Sequence, residues 1–198
     1  MGVDGFRFDL APVLGREGNG TWTFSSSATT LTQIASLGSA YSVEMIAEAW
    51  DCQWPGGYKI GKFPSGWGDW NGVYRDVVRK YVGGAGTTET KSDSGNVLYN
   101  LNIGNALYGS SDVFGSYRPS VNMIVAHDGF TLADLSSYAG TGNALNSTLS
   151  WPFGTSDGGN SDTNYIPVDT QAGHRQINRN YIALQMVTRG IPMIVWGD

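Results

Sequence analysis

Apolar residues along this chain gather in short runs that end in charge. In Gly2-Val3-Asp4-Gly5-Phe6-Arg7-Phe8-Asp9-Leu10-Ala11, the β-forming bulk comes from Val3, Phe6 and Phe8. Arg7 and Asp9 lie two residues apart, so a strand turns them to the same face. An arginine and a carboxylate at the end of an apolar strand are costly unless paired. Such a pair can serve sheet structure as well as a site. Val43-Glu44-Met45-Ile46-Ala47-Glu48-Ala49-Trp50 repeats the pattern, with Glu48 near the far end. Val121-Asn122-Met123-Ile124-Val125-Ala126 runs into His127-Asp128-Gly129, and residues 191–196 form a last apolar run.

Between these runs the spacing turns helical. Leu31, Ile34 and Leu37 predict a helix over residues 29–37, stopped at Gly38. Val73, Val77 and Tyr81, with Tyr74 and Val78, predict one over residues 69–82, ended by Gly83-Gly84. A third is expected over residues 97–108, weakened by Gly104. A fourth covers residues 175–189, with Ile177, Tyr181, Leu184 and Val187 on one stripe. Residues 15–27 read as loop, and residues 51–64 as loop with a short strand over 58–63. Residues 85–96 are polar and read as a mobile segment. Residues 138–173 form a long loop whose Trp151, Phe153 and Tyr165 argue for function, since a linker rarely carries such aromatics.

Strands alternating with helices, each strand nearly continuous in apolar residues, mean an α/β fold with a parallel sheet. No Gly-x-Gly-x-x-Gly or Walker-type loop follows a strand, which disfavours a nucleotide fold. In the barrel form of this architecture, chemistry sits at the carboxyl ends of the strands. Arg7, Asp9, Glu48, His127 and Asp128 all fall there.

Composition narrows the choice. The 198 residues suffice for one domain with a core. Charged residues make up only 15%, below the usual quarter, while Gly numbers 28 and Trp 7. That mixture suggests long ordered loops and a surface that stacks on flat ligands. A net charge of -5 and a pI near 4.9 argue against nucleic acid and against anionic membrane surfaces. No apolar run approaches a membrane span. The lone Cys52 excludes an intrachain disulfide, leaves the compartment open, and has no histidine base near it in sequence. No leader pattern precedes the first strand. Few charges and many small polar residues lean towards a secreted parent. Met1 runs directly into strand-like sequence, and residues 193–198 stop in or just after a strand. The expectation is therefore a piece excised from a longer protein.

Three carboxylates, an arginine and a histidine at three strand ends suit glycoside hydrolysis. Retaining enzymes use two carboxyls about 5–5.5 Å apart, one attacking the anomeric carbon and one protonating the leaving oxygen. The nucleophile must stay ionised, and Arg7 is placed to favour that for Asp9. The acid must hold its proton near neutral pH and needs a drier setting, which Ala47, Ala49 and Trp50 offer Glu48. Asp128 can bind sugar hydroxyls and favour a distorted ring, and neutral His127 can donate to one. A metal held by Asp9, Glu48, His127 and Asp128 is the rival reading, opposed by the cationic Arg7 beside Asp9. A Gly-x-Ser-x-Gly elbow is missing, so serine catalysis has no support.

Asp4-Gly5-Phe6-Arg7-Phe8-Asp9, Ala47-Glu48-Ala49-Trp50 and Ala126-His127-Asp128-Gly129-Phe130-Thr131-Leu132 resemble three signature segments of the α-amylase clan, in the family's order. Gly61-Lys62-Phe63-Pro64, Asp69-Trp70-Asn71-Gly72-Val73-Tyr74-Arg75-Asp76, Gly109-Ser110-Ser111-Asp112-Val113-Phe114 and Gly190-Ile191-Pro192-Met193 resemble its isoamylase and glycogen-debranching branch. The stretch from Trp151-Pro152-Phe153-Gly154 through Asn164-Tyr165 is similar to bacterial starch isoamylases.

The resemblance implies part of a (β/α)8 TIM barrel, roughly strands 4 to 8, with residues 1–198 inside one catalytic domain. It implies Asp9 as nucleophile, Glu48 as acid/base and Asp128 as transition-state stabiliser, with Arg7 and His127 in support. The reaction it implies is retaining hydrolysis of α-1,6 branch linkages in amylopectin or glycogen. Trp50, Trp54 and Tyr58 are candidates for stacking on sugars, with plain packing open for each. The family's upstream Asn-His segment, its first three strands and its N- and C-terminal β-domains have no counterpart here. Its calcium sites lie in those parts, so no metal and no cofactor is expected, and the piece alone is expected to be inactive. A glycogen- or pullulan-directed relative is the nearest alternative. A non-catalytic glucan-binding subunit is another, although it would be expected to have lost one of Asp9, Glu48 and Asp128.

Overall fold

The structure is a computed structural model that describes residues 2–16, 22–53, 56–82, 88–93, 97–115, 120–127, 131–137 and 172–196. Its elements run β1 (Gly5–Phe8), a 3-10 turn (Ala11–Gly15), α1 (Thr29–Tyr41), β2 (Glu44–Ala47), β3 (Trp67–Asn71) and α2 (Gly72–Val82). There follow β4 (Thr88–Asp93), β5 (Val97–Asn102), α3 (Ile103–Leu107), α4 (Ser111–Phe114), β6 (Ser120–Met123), α5 (Leu132–Ser137), α6 (Ala172–Val187) and β7 (Ile191–Met193). Five strands form one sheet in the order β1-β2-β3-β6-β7, and β4 pairs with β5 in a second, two-stranded sheet. The order in space is the order in the chain, as for consecutive strands of a (β/α)8 barrel. The fold class is therefore α/β, part of such a barrel.

The chain divides into two compact units. The first comprises residues 1–71, 91–99 and 110–121. Here β1, β2 and β3 are parallel, with Phe8 opposite Ala47 and Ala47 opposite Asp69. Burial explains the pairing: Met45 and Ala47 face inward from β2, and every residue of β3 is buried. The Trp67 ring lies 4.9 Å from Phe8 and 5.4 Å from Phe63, and its Nε1 donates to Leu31 O at 3.0 Å. That bond satisfies the one polar group of an otherwise apolar cluster.

Helix α1 does not stop at Gly38. It continues to Tyr41 and ends at Ser42, in the left-handed region at φ 54°. Gly38 is a contact point instead. A Cβ there would lie 2.8 Å from Met45 Cγ and 2.8 Å from Val43 O, so only glycine lets α1 approach β2 this closely. Leu37, expected on the buried face, is exposed.

The second unit comprises residues 72–90, 100–109 and 122–198. Its buried polar side chains tie α2 and α6 to strand ends. Arg79 Nε donates to Ile124 O at 2.8 Å, and Tyr74 Oη donates to Thr188 Oγ1 at 3.2 Å. Gln185 Nε2 donates to Asn122 O at 2.9 Å and to Met193 O. The buried stripe of α6 is thus Tyr181 and Gln185, continued by Thr188 just past its end, while Val187 of the expected stripe faces solvent.

Four further expectations are corrected. Residues 58–63 form no strand; the chain turns at residues 60–61, with Gly61 at φ +73°. Residues 69–71 belong to β3, and the helix begins at Gly72. The helix expected over residues 97–108 is β5 followed by the short α3, and Thr88–Asp93 of the polar segment is β4.

Candidate active site

The parallel register of β1 and β2 brings the first two carboxylates together. Phe8 and Ala47 are opposite and end their strands, so the next residues, Asp9 and Glu48, emerge side by side. Backbone bonds hold the exits in step: Glu48 N donates to Phe8 O at 3.0 Å, and Ala11 N to Glu48 O at 3.1 Å. An oxygen of Asp9 and an oxygen of Glu48 lie within 4.8 Å of each other.

Arg7 joins them. Its Nη1 is 2.8 Å from Asp9 Oδ1 and its Nη2 is 2.9 Å from Glu48 Oε2. The second contact is off the axis of a hydrogen bond, so it acts as charge on charge. Beneath the guanidinium lies Trp70, its ring centroid 4.2 Å from Arg7 Cζ. A cation over an indole face is worth about 0.5–2 kcal/mol.

The two carboxyls live in different settings. The Asp9 side chain is 66% exposed and that of Glu48 only 3%. Burial pushes the Glu48 carboxyl up from its ordinary value. The backbone N–H of Leu10, donating to Oε2 at 2.8 Å, and the Arg7 charge pull against burial, while neighbouring Asp9 adds to it. Leu10 itself lies in the left-handed region at φ 45°, uncommon for a leucine. The pair thus offers one solvent-facing carboxylate and one sheltered carboxyl that favours holding a proton.

Trp50 is buried, its ring stacked on Tyr58 at 5.9 Å and 16° and tilted against Trp70 at 6.4 Å. Tyr58 keeps part of its surface open. His127 lies beyond the end of β6 and is exposed. Asp128 and Trp54 lie outside the described residues. Cys52 is a free, exposed thiol.

Sequence reasoning missed Trp70, because residues 69–71 read as the start of a helix. It also missed the Leu10 amide, which no side-chain pattern can signal, and Asp69. The Asp69 carboxylate is buried and its Oδ2 accepts the Gly61 N–H at 2.7 Å, pinning the turn between β2 and β3.

No family model matches the chain. It is 37% identical over 214 residues to an isoamylase of Flavobacterium sp., covering the whole chain and 26% of that protein. It is 38% identical over 211 residues to a GlgX homologue, a glycogen operon protein of Mycobacterium tuberculosis, covering the whole chain and 26% of that protein. Along its whole length the chain is similar to the isoamylase and glycogen-debranching branch of the α-amylase clan. A glycogen debranching enzyme of Dickeya chrysanthemi in the same branch is 36% identical over 212 residues, covering 99% of the chain and 28% of that protein. The chain spans about a quarter of the length of these curated relatives.

Proposed function

We propose that this chain carries the nucleophile and the acid/base of a retaining glycoside hydrolase acting on α-1,6 branch linkages of amylopectin or glycogen. The observation that carries the reading is the Asp9–Arg7–Glu48 arrangement, two carboxyls within 4.8 Å joined by one guanidinium. Carboxyls this close leave no room for a water between them, which favours retention over inversion. The names of the relatives, isoamylase and glycogen debranching enzyme, support the substrate class.

Asp9 attacks the anomeric carbon and forms a glycosyl ester. Glu48 gives its proton to the departing 6-oxygen, so the leaving chain departs as an alcohol. Glu48, now ionised, takes a proton from water, and the hydroxide formed attacks the ester and frees Asp9. Arg7 suits both halves, since it faces whichever carboxyl is charged. Asp128 is proposed as the stabiliser of the oxocarbenium-like state, with His127 donating to a sugar hydroxyl. Tyr58 is proposed to stack on a glucose ring. Residues 1–198 are proposed to lie within one catalytic domain.

The test is the stereochemical course in the full-length protein. Proton NMR during amylopectin hydrolysis should show the α-anomer of the released chain end first. Glu48→Gln should lower kcat by about a thousandfold or more, the scale of general-acid contributions. First appearance of the β-anomer, or unchanged hydrolysis by Glu48→Gln, would contradict the proposal. Amylopectin bound but not hydrolysed by the parent protein itself would point to a glucan-binding subunit.

A further inference from the structure

Asp51 lies three residues past Glu48, and its carboxylate is used twice. Oδ1 accepts the Gln53 N–H at 2.9 Å, and Oδ2 takes Nη1 of Arg16. Both side chains are buried, with Asp51 2% and Arg16 7% exposed. The backbone is tied at the same place, Asp51 N donating to Gly57 O at 3.2 Å and Gly57 N to Gln53 O at 2.9 Å. Gly57 has no room for a side chain, since a Cβ would lie 2.5 Å from Asp51 O and 2.6 Å from its Oδ1. Two residues on, Lys59 N donates to Ala49 O at 2.6 Å. Tyr58, caught between these ties, is laid parallel to Trp50.

Stability is a poor reason for the Arg16–Asp51 pair. Nε and Nη2 of Arg16 are buried without a hydrogen-bond partner among the described residues. A buried ion pair with unmet donors is worth less than well-packed apolar residues in its place. Its position suggests another use. Arg16 ends the 3-10 turn that follows Asp9 and Leu10, and Asp51 follows Glu48, so the pair clasps together the two chain segments that leave the site. From Tyr58 the contacts run through Trp50 and Trp70 to Arg7 and both carboxyls.

We infer that Asp51, clamped by Arg16, is a positioning residue that holds Tyr58 as a glucan-stacking ring at a fixed distance from the Asp9–Glu48 pair. This rests on the hydrolase reading above and adds the residue that places the stacking ring. Asp51→Asn keeps Oδ1 and the turn but removes the charge that grips Arg16. It acts on substrate binding through Tyr58 and leaves the reacting carboxyls in place.

The experiment is a double-mutant cycle in the full-length protein with amylopectin as substrate. Asp51→Asn should raise KM about three- to tenfold, the worth of one aromatic contact, with kcat within about twofold of the parent. Tyr58→Ala should raise KM similarly, and Asp51→Asn added to Tyr58→Ala should raise it no further. Should Asp51→Asn fold poorly, the cycle is run with Arg16→Gln and Asp51→Asn together, which removes both buried charges. Additive KM effects, or a fall in kcat at constant KM, would overturn the inference. Glu48→Gln assayed alongside keeps the two readings apart. If it loses hydrolysis while the cycle is additive, only the Asp51 role falls; if it keeps hydrolysis, the hydrolase reading falls and takes the Asp51 role with it.

Discussion

Glu48 is pulled in opposite directions by its neighbours. Burial and Asp9 favour its neutral form; the Leu10 amide and Arg7 favour its anion, and the balance lies with the neutral form. A group that protonates more readily folded than unfolded gives its full stabilisation below its unfolded value. That stabilisation is lost as pH rises through the folded value. For Glu48 the loss begins near the ordinary 4.5 and is complete above the raised folded value. Glu48→Gln removes the loss, because a neutral amide needs no proton to be buried. The variant should therefore gain thermal stability over the parent as pH is raised, with little difference in mildly acidic buffer. Melting curves across that range check it, and a difference independent of pH would contradict it. A protein more stable with Glu48 neutralised is the trade expected if Glu48 is the acid/base proposed above.

At the scale of elements, strands β1, β2, β6 and β7 and helices α1 and α6 were legible because an apolar run or a helical stripe marks each of them. Asp9 and Glu48 were legible for the same reason, standing where apolar runs stop. Strand β3 was not, because Trp67-Gly68-Asp69-Trp70-Asn71 has no alternation and runs straight into the periodic α2. Its placement is decided by burial on all sides, which local pattern does not encode. Gly38 misled for a different reason: helix C-termini and close helix–strand contacts both select glycine. That contact is testable. Gly38→Ala raises helix propensity by about 1 kcal/mol, yet the new methyl must displace Met45 or the Val43 carbonyl. Overpacking of this kind costs about 1–3 kcal/mol, so a lowered urea midpoint is expected, and a raised one would refute the contact. Gln185→Leu removes two buried hydrogen bonds to carbonyls and should cost about 1–3 kcal/mol, read from the same denaturation curves.

At the scale of the whole molecule, the sheet ends in β1 and β7 among the described residues, and apolar side chains stand open near both. Val3 and Phe6 are 50% and 51% exposed, and Ile191 and Ile194 are 41% and 48% exposed. Open edges with apolar flanks invite association with other chains. The 198 residues expressed alone should therefore elute as aggregates or oligomers and release no linear chains from amylopectin. A monomer with strong debranching activity would contradict this. The longer relatives, of which this chain spans about a quarter, have further sequence with which to cover such edges. The role proposed for Asp9 as nucleophile is tested by trapping the ester. Full-length protein carrying Glu48→Gln, given an α-maltosyl fluoride whose leaving group needs no acid, should accumulate a glycosyl ester that mass spectrometry of the digested protein places on Asp9. An adduct on another carboxylate, or none at all while the fluoride is consumed, would contradict the account.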